Sequence, residues 1–478
     1  MRIPYGPPAV AGAAAVVGAG VTAAADTGLL APAAAALGVA AAFAVAVLTT
    51  RPTTDDADTR MHRLLVAPIA LVLAVVLGLL AGGIVDWWLI EPAAYPLGGA
   101  IGSVAAFLLY RRLSTTLALS FGAVVAAGVL ALAVTALVLR ISGVAPFHAF
   151  SRMLEFGLRP DSLVIMVNSG TTFYLSAVAV AIGFKMKLFN IGVDGQYRLA
   201  ALMAAAVGGY WVMPPVVHQI VVMAVAVAVG GVWAGIAGYL KVARGVSEVI
   251  STIMLNSVAT GITAYMLNTD RLAVQISTNN IGTPEIPESG WIPGIPAGFM
   301  GADRDIFGLV VLAALVGVGY WLMLNRTRFG FDLRATGQSP TAARASGIDI
   351  KRMVLLSMVI SGMIAGLVGM PQLLGQSHYY ALDFPTGIGF TGIAIALLGR
   401  NHPVGIAFAA LFWAFLDQSS QILDFEGIPK EIAVVTQATI VLTVVVVYEV
   451  VHRWGLRYQQ QQVGRELARG EREEAAAS

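Results

Sequence analysis

The sequence predicts an all-α, polytopic integral membrane fold with about fourteen transmembrane helices and two interrupted or re-entrant segments. Three observations carry this reading. Hydrophobic residues make up 58% of the 478 positions and charged residues only 12%, with a mean hydropathy of +0.79; soluble domains are about 25% charged. Apolar runs of bilayer-crossing length recur along the chain, and about 20 residues at a ~1.5 Å rise span roughly 30 Å of hydrocarbon. Lys and Arg collect in short loops between alternate runs, which is the mark of the cytoplasmic side. The 52 glycines and the many alanines suit helices that approach closely in lipid. A net charge of +2 gives no argument for nucleic acid, and the absence of cysteine excludes disulfides, thiolate metal sites and cysteine nucleophiles.

The first 112 residues hold four apolar runs, at 8–25, 29–49, 64–85 and 95–110. A signal peptide ending before Asp26 is the rival reading of the first; the single Arg2 and the second run that follows at once count against it. Trp87 and Trp88 read as an interfacial belt, and Arg111 and Arg112 mark the inner side. No polar constellation occurs here, so 1–112 is expected to be a packing or partner-docking extension.

The run 117–139 opens the rest of the chain. Pro146 to Gly157 is amphipathic, with Phe147, Phe150, Met153 and Leu154 on one expected face along the outer surface. His148 within it reads as an exposed polar residue, since no second His or acid follows at helical spacing. Residues 162–184 cross inward to Lys185 and Lys187. There LFNIGVDGQ places Gly192 and Gly195 among the polar Asn190, Asp194 and Gln196. Irregular backbone at membrane depth survives only when buried in protein or lining a cavity. The residues alone leave open a pathway segment or a turn just below the membrane.

Runs 196–213 and 219–241 lead out and back, to Lys241 and Arg244. In 246–268, Glu248, Ser251, Thr252, Asn256 and Thr260 fall on one helical face. Such a stripe must meet partners or water. Asn256 is the best single pathway candidate; hydrogen bonding between neighbouring helices is the alternative. Glu248 fits a helix N-terminus, where the dipole favours an acid.

The loop 269–305 has a charge balance of −3, recurrent Pro and Gly, and is expected outside. Trp291 in it would anchor at the interface or meet a soluble partner. The run 306–325 leads to a basic loop, Asn325 to Arg352, with a balance of +4. Within it Ser339-Pro340 reads as an N-cap with Pro at the first helical position, Thr341–Ser346 as a short helix and Gly347 as its terminator. After 353–373, the segment 375–385 turns outside. The short run 387–399, the break Arg400–Pro403 and the run 404–421 repeat the logic of 184–213, which places Gly387, Gly389 and Phe390 near a pore if the halves correspond. Residues 431–450 cross last. The Arg-rich tail 452–478 and the N-terminus are both expected in the cytoplasm.

No G-x-x-x-x-G-K-[ST] loop is present, nor any HExxH or paired-His metal motif. No nucleophile–base pair stands out, so no catalytic residue and no metal ligand is assigned. Energy for transport would come from another chain or from an ion gradient. Asp417, inside a central run, is the feature that favours an ion-coupled carrier.

The stretch RATGQSPTAARASGI within Gly330–Ile348 resembles the coupling loop of permease subunits of ABC importers for branched-chain amino acids, simple sugars and nucleosides. LFNIGVDGQYRLAALMAA (188–205), SEVISTIMLNSVATGI (247–262) and GIGFTGIAIALLGRNHPVG (387–405) resemble the same group in the same order, and nucleoside permeases are the nearest in pattern. The resemblance covers roughly 117–450. It implies a permease core at 113–451, located in the cell (inner) membrane, whose short helix docks on a cytoplasmic ATP-binding subunit. The docking residues would be Gly337, Ser339, Pro340, Ala342, Ala343, Arg344, Gly347 and Ile348. It further implies a second permease subunit, expected to make a heterodimer, and an external substrate-binding protein. ATP would sit on the partner, with no cofactor on this chain. Substrate-pathway candidates are Phe189, Asn190, Gln196, Ser251, Thr252, Asn256, Gly389 and Phe390. Gln338 and Thr341 stand where the group often has acids, and Asp194 where Glu is commoner. Simple sugars or branched-chain amino acids are the alternative substrates.

Overall fold

In the computed structural model the described residues are 146–277 and 280–425, with isolated helical residues at 134, 137, 139, 140, 434, 435, 438, 439 and 442. Nearly all of them belong to one compact unit, 135–441. The expected extension 1–112, most of the run 117–139, most of the last crossing 431–450 and the tail 452–478 lie outside the described residues.

The described residues form helices α1 (Pro146–Gly157), α2 (Pro160–Lys185), α3 (Val193–Tyr210), α4 (Val217–Arg244) and α5 (Glu248–Met266). After the long loop come α6 (Val310–Arg326), α7 (Arg328–Gln338), α8 (Pro340–Ala345), α9 (Ile350–Leu367), α10 (Ile388–Leu398) and α11 (Pro403–Phe425). Among them five helices are long and apolar enough to cross a membrane, counting α9 with its extension to Ser377. The pair α6–α7, bent by 72°, makes a sixth if taken as one broken span. The chain is a multi-pass membrane protein, and each expected run from 162 to 421 is matched by a helix to within a few residues.

The centre is α2, whose middle from Leu175 to Gly183 is buried without a break. Around it α4 and α9 cross closely through small residues. A Cβ on Gly366 would overlap the Ala226 carbonyl oxygen, and one on Gly230 would overlap Gly362. Lipid offers no hydrophobic drive between helices, so contact of this kind is what holds such a crossing.

Three expectations need correction. The stretch after Asn325 is not loop up to Ser339: 328–338 is helical. Thr327 caps it, its hydroxyl accepting the Gly330 N–H at 3.1 Å, and Leu333, Thr336 and Gly337 bury one face. The Arg334 guanidinium donates to the Leu324 carbonyl across the bend. On α1, Leu154 is exposed at 54%, whereas Ala149 and Met153 pack with Leu423 of α11; His148 is exposed, as expected. The loop after α5 is more ordered than its Pro and Gly content suggests. It carries two antiparallel hairpins, β1–β2 (Val274–Ser277 with Asn280–Gly282) and β3–β4 (Ile295–Pro296 with Asp305–Ile306).

The segments that follow α2 and α10 match in backbone. Lys187 and Arg400 both take φ of 57°. The following N–H closes back on the helix in each case, Leu188 to Gly183 at 3.0 Å and Asn401 to Ala396 at 2.9 Å. This is the Schellman ending, with a basic residue in the left-handed position that glycine usually takes.

Candidate functional site

The break between α2 and α3 is built on amides. Asn190 and Gln196, both 1% exposed or less, exchange two hydrogen bonds: Asn190 Nδ2 to Gln196 Oε1 at 3.1 Å and Gln196 Nε2 to Asn190 Oδ1 at 3.0 Å. Asn190 Nδ2 also donates to Ser361 Oγ on α9 at 2.8 Å, and Ser361 donates to the Ala179 carbonyl on α2 at 2.6 Å. Asn256 of α5 receives the Gly195 N–H at 2.9 Å and donates to the Ile191 carbonyl at 2.9 Å. The irregular backbone of 190–195 is thus satisfied by the Asn256 amide and by Asn190 itself, whose Oδ1 accepts the Gly192 N–H at 3.1 Å, while Gln196 and Ser361 hold the Asn190 side chain, which is what permits it inside a bundle.

The polar stripe of α5 faces this break. Glu248 is buried, pairs with Lys241 Nζ at 2.5 Å and faces the Phe189 N–H at 3.5 Å. Ser251 and Thr252 are buried and Thr260 accepts from Arg198 Nη1 at 3.1 Å. Phe189 is 48% exposed and meets Phe184 edge-on at 5.0 Å.

The first turn of α3 reaches across to the start of α10. Asp194 Oδ1 accepts N–H groups from Gly387 at 2.9 Å and Gly389 at 3.3 Å, with Arg198 3.9 Å from its other oxygen. Tyr197 donates to the Pro385 carbonyl at 2.8 Å, and Ser176 of α2 to the Ile388 carbonyl at 2.9 Å. A Cβ on Gly389 would overlap Asp194, so glycine is required there. Phe390 is 52% exposed. The structure therefore brings Asn190, Gln196, Asn256 and Gly389 into one framework with Asp194, while Phe189 and Phe390 stand at its edges.

None of these pathway candidates lines the large cavity that adjoins the framework. It measures about 830 Å³ and lies between α2, the end of α9, the start of α10, and α11, under residues 304–307 of the long loop. Its walls carry Thr172, Gln372, Gln376, Thr391, Gln418 and Gln421, with Phe173, Phe384 and Trp413 among the aromatic residues. Asp417 also borders it. The wall at Leu373–Ser377 is a π-helical turn, a widened form that recurs at functional sites. The loop is pinned over the opening by Asn168, whose amide donates to the Asp305 carbonyl at 3.0 Å and accepts the Phe307 N–H at 2.7 Å. The sequence reading singled out only Asp417 here. The missed signal was the spacing of polar residues, Ser169–Thr172 on α2 and Asp417–Gln418–Gln421 on α11, each set on one helical side.

At the opposite end of α9 sits the short helix α8. Ser339 is its N-cap, accepting the Ala342 N–H at 3.3 Å, and Pro340 is its first residue. Gly347 at φ 81° ends it, with Ile348 N–H closing on the Ala343 carbonyl at 3.0 Å. Ala343 is only 3% exposed and Gly337 is packed against the backbone at Lys185, whereas Ala342 and Arg344 are exposed. The exposed side of α8 is small and basic.

The long loop closes the other end. Trp291 is half-buried and bonded within the loop. Its Nε1 donates to the Ile286 carbonyl at 2.7 Å and its ring stacks on His378 at 3.9 Å. His218, fully buried on α4, bonds Ser289 at 2.8 Å and the Gly208 carbonyl at 3.0 Å. Among the described residues no group of acids and histidines is placed to hold a metal ion.

Residues 162–448 match the family described as branched-chain amino acid transport system / permease component. The guanosine ABC transporter permease protein NupP of Bacillus subtilis is 33% identical over 67% of this chain and 92% of its own length. The glucose ABC transporter permease protein TsgB13 of Haloferax volcanii is 31% identical, over 68% and 87%. The nucleoside ABC transporter permease protein NupB of Lactococcus lactis is 29% identical, over 57% and 76%. No solved structure matches the chain.

Proposed function

Because the chain belongs to the branched-chain amino acid transport system permease family, we propose that it is the membrane permease subunit of an ATP-driven importer of nucleosides. The relatives named for guanosine and nucleosides support this substrate class. The observation that carries the mechanism is α8, a capped helix with an exposed basic side, held by Ala343 and Gly337 against the helix bundle. Hydrolysis of ATP on a cytoplasmic partner would push on Thr341, Ala342 and Arg344. α9, separated from α8 by four residues, would carry the motion to the loop end of the bundle. The Asn190–Gln196–Asn256 framework keeps the α2–α3 break rigid and so supports the translocation path.

In this reading the α8 end is cytoplasmic and the long acidic loop external, where a substrate-binding protein docks. The whole chain makes about fourteen crossings with both termini inside. A second, different permease subunit completes the pore, and ATP stays on the partner subunit with no cofactor on this chain. A sugar permease is the second reading, favoured by the glucose relative.

The test is uptake of radiolabelled guanosine by vesicles holding the complete transporter. Accumulation that needs internal ATP supports the reading. Uptake driven by a proton or sodium gradient without ATP would replace it with the ion-coupled carrier, and ATP-dependent uptake of glucose but not guanosine would favour the sugar permease.

A further inference from the structure

We propose that Arg198 of α3 selects the solute in the translocation path, its guanidinium fork taking two acceptors on one edge of a nucleobase, so that guanosine and inosine are favoured over adenosine. The proposal rests on the nucleoside reading above and adds the selecting residue and the feature that it selects.

In that reading a second permease completes the pore, so the pore wall on this chain is a face that the chain itself leaves open at membrane depth. α5 presents such a face. Only 22% of its most apolar stretch is buried, against 33–67% for the other four crossing helices. The open faces of α4, α6 and α11 expose large apolar side chains such as Val232, Val318 and Phe408, which suit lipid. That of α5 mixes Ile250, Met254 and Val258 with exposed Ser257 and Thr260, and borders on Asn256. Polar and charged groups at this depth call for protein or water rather than lipid.

Arg198 stands at the edge of that face. Its Nη1 donates to Thr260, about 18 Å along α5 from Glu248, and its side chain is 18% exposed. The bland role for such a residue is a saturated ion pair that ties helices together. Arg198 is not saturated. Its approach to Asp194 Oδ2 is loose at 3.9 Å, and the other carboxylate oxygen is committed to Gly387 and Gly389. Tyr380 lies beside it. Of its five N–H groups, the one on Nε is shielded and has no hydrogen-bond partner among the described residues. An unmet donor on a charged group is costly, and a solute that offers two acceptors supplies what this chain leaves unmet.

The chemistry of the fork sets the preference. Arginine donates and never accepts. It pairs bidentately with O6 and N7 of guanine, an edge that hypoxanthine shares, whereas adenine places an N6 donor beside N7. Asp194 ties the first turn of α3 to α10, and Asn256 holds the break before it, so Arg198 is presented from a fixed frame.

The natural absence of cysteine allows a direct test. Ser257→Cys, on the open face of α5 beside Thr260, and Val232→Cys on α4 are placed singly in the complete membrane complex in lipid nanodiscs. Each is exposed to a charged methanethiosulfonate, with nucleosides added directly and no external binding protein. The α5 cysteine is expected to react and the α4 cysteine to stay unlabelled. Guanosine and inosine are expected to slow the reaction, and adenosine to need a roughly tenfold higher concentration for the same effect. Adding Arg198→Gln should reverse that order, because a glutamine amide pairs with N6 and N7 of adenine. Arg198→Lys keeps the charge without the fork and should abolish the preference while the complex stays assembled. No labelling on α5 overturns its place beside the path and the role of Arg198 with it. Equal protection by guanosine and adenosine, or an order that neither Arg198 variant changes, overturns the selection by Arg198 alone. Labelling on α5 in a transporter that takes up no guanosine overturns the nucleoside reading itself.

Discussion

The Asp194 carboxylate and the Gly387 N–H meet at 2.9 Å across 193 positions of sequence. The same oxygen takes the Gly389 N–H at 3.3 Å. Two N–H groups at the start of α10, which the helix itself leaves without partners, are thus satisfied from α3. Asp194→Ala removes the oxygen that accepts both N–H groups and is expected to destabilise the permease by about 1.5–3 kcal/mol, the usual loss for a bond to a charged group. Asp194→Asn keeps one acceptor and should lose less. Thermal unfolding in detergent reads the difference, and equal melting of both variants and the parent would remove Asp194 from the frame.

The α4–α9 crossing sets a second expectation. Gly366→Leu places a side chain against the Ala226 carbonyl, so the helices must separate and folded, monodisperse protein should be lost. Gly261→Ala on α5 meets nothing within 4 Å. It should be tolerated, with a gain of up to about 1 kcal/mol from helix propensity. Size-exclusion profiles of the two variants report the contrast.

On α8 the exposed and buried faces separate coupling from folding. Ala342→Trp alters only the exposed side and is expected to leave the permease intact while solute no longer stimulates ATP hydrolysis. Ala343→Trp, at a position 3% exposed, should damage the fold itself. Ser339→Ala removes the cap and is expected to cost about 1 kcal/mol, seen as partial uncoupling in the same ATPase assay.

His378 gives the loop end a pH dependence. Burial holds its imidazole below the ordinary value of 6.5, with Glu285 opposing the shift in part. Among the described residues its Nδ1 has no hydrogen-bond partner. A depressed folded value means that the unfolded chain binds more protons below pH 6.5, so the stabilisation present above 6.5 is lost as pH falls through that value. Melting temperature should drop between pH 7.5 and pH 5.5, and His378→Gln should flatten that part of the profile.

The helices from 162 to 421 were legible because hydropathy and run length mark them, and α8 was legible because Ser339, Pro340 and Gly347 are strong local signals. Helix α7 was not, since its charges at Arg328, Asp332 and Arg334 mask the burial of Leu333 and Gly337. The order of the long loop was hidden for another reason. Its hydrogen bonds run to distant partners, such as Asn168 to Asp305 and Phe307. The cavity escaped because its polar residues come from several helices, two or three at a time, and only packing assembles them.

The central claim is that this chain works as one subunit of an ATP-driven importer. Its most direct test is purification from native membranes in mild detergent, with mass spectrometry of every co-purified protein. The account predicts an ATP-binding subunit and a second apolar permease in fixed proportion to this chain. Recovery of this chain alone, in a detergent that keeps such complexes together, would contradict it.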